Sequence, residues 1–141
     1  MKYMLGGLVI LTGLAIPQFG EAAGNLAGKP TALDPLVMDK AFGFAPKEYS
    51  VETGKYYKWH IDSKGGQAFT LRAPELFQHI WVEKIVTESL VFSPDTLKAV
   101  TFDKEDEGQV DIFFVPISPG DFDFFAAGFE AKGMSGKFHV R

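Results

Sequence analysis

Tyr56-Tyr57-Lys58-Trp59-His60-Ile61-Asp62 and Asp121-Phe122-Asp123-Phe124-Phe125 decide the fold. In the first stretch Tyr57, Trp59 and Ile61 fall on one face and Lys58, His60 and Asp62 on the other. In the second, Phe122 and Phe124 share a face, and Asp123 points outward. A period of two marks a strand with one face in a core, and Val110, Ile112 and Phe114 repeat it. Working outward, the strand candidates are Leu36–Phe42, Glu48–Glu52, Lys55–Asp62, Gln67–Arg72, His79–Glu88, Leu97–Asp103, Val110–Val115, Asp121–Ala127 and Gly136–Val140. Turn chemistry separates them: Thr53-Gly54, Lys64-Gly65-Gly66, Ser93-Pro94-Asp95 and Ser118-Pro119-Gly120. Ala73–Gln78 is predicted as a single helical turn with Pro74 at its first position. No long window carries helical periodicity. The pattern is that of an all-β sandwich.

Composition narrows the chemistry. The 141 residues, 46% hydrophobic and 23% charged, suit one domain with a core of useful size. A net charge of −4 gives no basic footprint for nucleic acid. The absence of cysteine excludes a disulfide framework, a thiolate zinc site, an iron–sulfur cluster and a cysteine nucleophile. No glycine-rich phosphate cradle and no nucleophile elbow is present, so the chain is not expected to be an enzyme. The acidic run Asp103–Glu107 is expected to be a solvated hairpin loop or a docking patch for a basic partner.

The N-terminus reads as an export signal. Lys2 precedes an apolar run from Met4 to Ile16, followed by Pro17 and small residues around Ala22-Ala23, which predicts a signal peptide over residues 1–23. Residues 24–35 read as a flexible lead-in, and the domain is expected over residues 36–141. The location is then periplasmic or otherwise exported. A retained signal segment would instead be a short membrane anchor.

Three segments resemble the cupredoxin family, the small Greek-key β-sandwiches that include azurin and plastocyanin. Phe42-Gly43-Phe44-Ala45-Pro46, with Val51-Glu52-Thr53-Gly54 after it, is similar to the family's F-x-F-x-P opening and V-x-x-G turn. His79-Ile80-Trp81-Val82 resembles the stretch that begins at the family's first copper-binding histidine. Pro119-Gly120-Asp121-Phe122-Asp123-Phe124-Phe125, with Gly133-Met134-Ser135-Gly136 following, resembles its closing P-G-x-Y-x-F-x-C, ligand loop and G-M-x-G strand. Together they span Phe42 to Val140.

The family's blue-copper site takes two histidines, a thiolate and a long axial methionine. The resemblance sets His79 at the first histidine and Met134 at the methionine. It sets Ala126 or Ala127 at the thiolate, and Glu130 near the second histidine. A blue-copper centre is therefore excluded. As residues in their own right, His79 suits a hydrogen-bonded strand start, Glu130 a solvated loop and Met134 ordinary packing. As a set, His79, Glu130 and Met134 are the candidate metal ligands, an N, O, S group for copper. His60 and His139 are expected on the surface. Two functions compete: a periplasmic protein binding or carrying copper, and a metal-free cupredoxin scaffold serving as an accessory or interaction subunit of a periplasmic or membrane complex.

Overall fold

A computed structural model describes residues 28–141. The signal segment and the first residues of the lead-in lie outside them. In chain order the elements are β1 (Thr31–Ala32), β2 (Leu36–Met38), β3 (Phe44–Ala45), β4 (Glu48–Val51), β5 (Tyr57–Ser63), β6 (Phe69–Arg72), α1 (Pro74–Gln78), β7 (Ile80–Val86), β8 (Val91–Phe92), β9 (Val100–Phe102), β10 (Gly108–Pro116), β11 (Gly120–Ala126) and β12 (Ser135–Val140). Among the described residues they form two sheets. One runs β3-β2-β5-β10-β7-β8, with β1 also paired to β5, and the other runs β4-β12-β11-β6-β9.

The alternating stretches supply the facing layers. Tyr57, Trp59 and Ile61 are 3%, 1% and 0% exposed, and Phe122 and Phe124 are 6% and 0% exposed. Trp59 reaches across from the first sheet, its ring 4.9 Å from Phe138 and 5.6 Å from Phe124 in edge-on contacts. Tyr49 stacks on Phe138 at 4.7 Å. Such pairs each add about 0.5–1.5 kcal/mol beyond the area they bury. Gly136 pairs with Phe124 across β11 and β12. A Cβ there would run into the Phe124 ring and the Lys47 carbonyl, so only glycine permits this approach.

Several expectations shift. Pairing begins at Thr31, which sits opposite Tyr57, so part of the predicted lead-in is already strand. Leu36–Phe42 ends as a strand at Met38, because Asp39 Oδ1 accepts the N–H groups of Ala41 (2.8 Å) and Gly43 (3.0 Å) and folds a turn. The acidic run is not a hairpin loop. It joins β9 of one sheet to β10 of the other, and the Lys104 carbonyl accepts the Gly66 N–H at 2.8 Å. Asp62 is only 7% exposed, since Lys64 folds back onto its Oδ2 at 2.6 Å. The predicted helical turn forms over Pro74–Gln78, with Pro in its first turn.

Candidate functional site

β11 ends at Ala126, and the chain returns to β12 through a loop tied to its own backbone. The Ala126 N–H donates to the Met134 carbonyl at 3.0 Å, and the Phe129 N–H donates to the Ala126 carbonyl at 3.0 Å. A 3-10 turn over Glu130–Lys132 follows, closed by Gly133 at φ 86°, a left-handed position suited to glycine. Ala126 and Met134 are both fully buried. In the loop between them the Phe129 ring packs against the core, 5.5 Å from Phe69 and 5.7 Å from Phe42. Phe42 adopts φ 63°, a strained setting for a bulky residue, and the Lys132 ammonium sits 5.4 Å over its ring. Three phenylalanines from separate segments thus meet beside this loop.

His79 lies elsewhere. Its ring stacks on Phe122 with centroids 4.8 Å apart, its Nδ1–H donates to the Glu75 carbonyl at 2.7 Å, and its own carbonyl accepts the Ile117 N–H at 2.9 Å. Phe122 precedes Ala126 by four residues, about 13 Å of strand. His79 thus sits at the β10–β11 end of the sandwich, and Met134 at the opposite end of β11. The cause is topological. β7, which follows His79, pairs with β10 in the first sheet, whereas the strand bonded to β11 at Ala126 is β6. The residues leading into β6 are Gln67 and Ala68, which carry no imidazole and so give no signal in the sequence. Glu130 is exposed and lines a hollow on the outer face of the second sheet with Lys47 and Lys137, whereas Met134 is fully buried.

No protein-family model matches the sequence. No curated protein matches it. Solved structures do. A copper-containing nitrite reductase from Thermus scotoductus superposes with a TM-score of 0.61 at 14% identity, over 82% of this chain and 32% of that one. Reduced auracyanin from Roseiflexus castenholzii gives 0.53 at 15% identity, over 81% of this chain and 99% of that one. The fold is a cupredoxin fold. A multicopper oxidase from Campylobacter jejuni gives 0.54 at 10% identity over 80% of this chain. This chain spans about a third of each enzyme's length, 32% and 30%. At such identities the likeness is one of architecture.

The cupredoxin fold implies copper, and the residues at the site do not fit it. Copper needs donors that converge. Here a methyl group stands at Ala126, the Met134 thioether is enclosed by apolar neighbours, Glu130 faces solvent and His79 is at the other end of the strand. Among the described residues no group of three His, Cys, Asp or Glu side chains converges to hold a metal ion. The expected ligand set His79, Glu130 and Met134 is therefore not assembled.

The remaining histidines lie part-exposed on the outer faces. His60 Nδ1 is 2.6 Å from Asp111 Oδ1, and Lys58 approaches the same carboxylate at 3.4 Å. His139 Nδ1 is 2.8 Å from Asp121 Oδ1, which also takes Arg141 at 3.0 Å. Hydrogen bonds from His139 and Arg141 hold the Asp121 carboxyl below its ordinary range. Both clusters read as ion pairs on sheet surfaces.

Proposed function

We propose that this chain is a metal-free cupredoxin-fold module, exported from the cell that makes it and acting as an accessory or interaction subunit of a periplasmic or membrane complex. It is neither a copper carrier nor an enzyme. One observation carries the reading: Ala126 and Met134 are fully buried in the apolar core at the end of β11, and Phe129 of the loop between them packs against that core and against Phe42 and Phe69. The export part rests on the Lys2 and Met4–Ile16 pattern, and the fold of the copper proteins it superposes on is compatible with it.

Elemental analysis of the protein from its native source is the first test, together with titration by Cu(I) and Cu(II). The expected result is no stoichiometric copper and no saturable uptake. Copper near one per chain, lost in His79→Ala or Met134→Ala, would restore the copper-binding reading. Affinity capture from native membranes tests the subunit role, and a protein that stays monomeric without a partner counts against it.

A further inference from the structure

Two connections cross between the sheets on one side of the sandwich. α1 carries the chain from β6 to β7, and residues 93–99 carry it from β8 to β9. Between them lies a cleft of about 700 Å³, with Pro74, Phe77, Ile80, Trp81, Pro94 and Leu97 among its lining residues. Phe77 and Ile80, each 8% exposed, belong to the core and form an apolar floor. Trp81 is the contrast, an indole left 46% exposed beside that floor. The size is that of a small-molecule site, and such sites are apolar with a few polar groups at the rim.

The rim is charged in one direction. Arg72 and Lys98 both line the cleft, and among the described residues neither has a carboxylate within ion-pair distance. Asp95 is the one acidic residue lining it. In a chain of net charge −4, two unpaired cations beside an apolar cleft mark a local reversal of sign. Pro74 and Pro94 have no N–H, so at those walls recognition of charge falls to side chains.

We propose that this cleft binds a small amphiphilic anion, its apolar chain lying against Trp81 and the Phe77–Ile80 floor and its anionic head held by Arg72 and Lys98. Guanidinium suits a carboxylate or phosphate head by its paired donors. The inference is independent of whether the chain works as a subunit.

Dodecanoate below its micelle concentration is the probe, added to the full chain, with dodecanol as the uncharged comparison. Trp59 is 1% exposed, so a change in tryptophan emission on binding reports Trp81. The expected result is a saturable blue shift that Trp81→Phe removes while calorimetry still detects binding. Arg72→Gln with Lys98→Gln should weaken dodecanoate about tenfold or more and leave dodecanol within about twofold, as expected for charge-assisted contacts. No saturable response to dodecanoate overturns the proposal. So does an equal loss for both probes. A response to anionic phospholipid vesicles without one to monomeric dodecanoate would make this a membrane-facing surface and also overturn it.

Discussion

The His79 ring lies on Phe122, centroids 4.8 Å apart, with its Nδ1–H committed to the Glu75 carbonyl at 2.7 Å. A carbonyl only accepts, so Nδ1 carries the proton, and the ring is fixed on both its face and its edge. This is the geometry of a packing histidine that closes the end of α1 onto β11.

Replacing His79 with alanine should therefore cost stability and leave metal behaviour untouched. The loss of one ring stack and one hydrogen bond amounts to about 1–2 kcal/mol. Urea unfolding measures it, and a copper titration run in parallel should be unchanged.

Ala126→Cys returns a thiol to the end of β11. The site is fully buried and apolar, which raises a thiol's pKa and leaves it inert. The native variant should resist aromatic disulfide reagents until urea is added. With Cu(II) it should give no intense visible band, because no imidazole reaches that thiol. A coloured copper complex would contradict the topology that sets His79 at the far end of β11.

Gly136→Ala tests the closest approach in the second sheet. Its methyl group would meet the Lys47 carbonyl and the Phe124 ring, and the backbone carbonyl cannot swing aside. A loss of about 2 kcal/mol or more is expected from overpacking, read as a lowered unfolding midpoint. A midpoint equal to that of the parent chain would mean that β4 and β12 separate easily.

Tyr49 gives a pH dependence on the alkaline side. Burial raises its hydroxyl from 10.0 to about 12, while it donates to the Asp34 carbonyl at 2.9 Å. The folded value lies above the unfolded one, so its contribution is fully present below pH 10.0 and is lost as pH rises through about 12. Over that window the parent chain should lose about 2–3 kcal/mol more than Tyr49→Phe. Urea midpoints at stepped pH would show the two curves converging.

The core was legible in the sequence because Trp59, Ile112 and Phe124 sit in stretches long enough to display a period of two. β1, β3 and β8 were not, since two residues have no period. The resemblance at His79-Ile80-Trp81-Val82 led to a wrong place for a different reason. The letters are local, but the pairing of β6 rather than β7 with Ala126 depends on the whole sheet. That Ala126 and Met134 lie together was readable because both flank a single loop. The phenylalanines that meet beside that loop come from three separate segments, and only folding brings them together.

A loop held in place by Phe42, Phe69 and Phe129 has a consequence for how the protein is made. Apolar packing is indifferent to metal supply, chelators and redox poise. On the proposed metal-free reading, such a chain reaches its final form as soon as it collapses, with no loading step and no apo intermediate to protect.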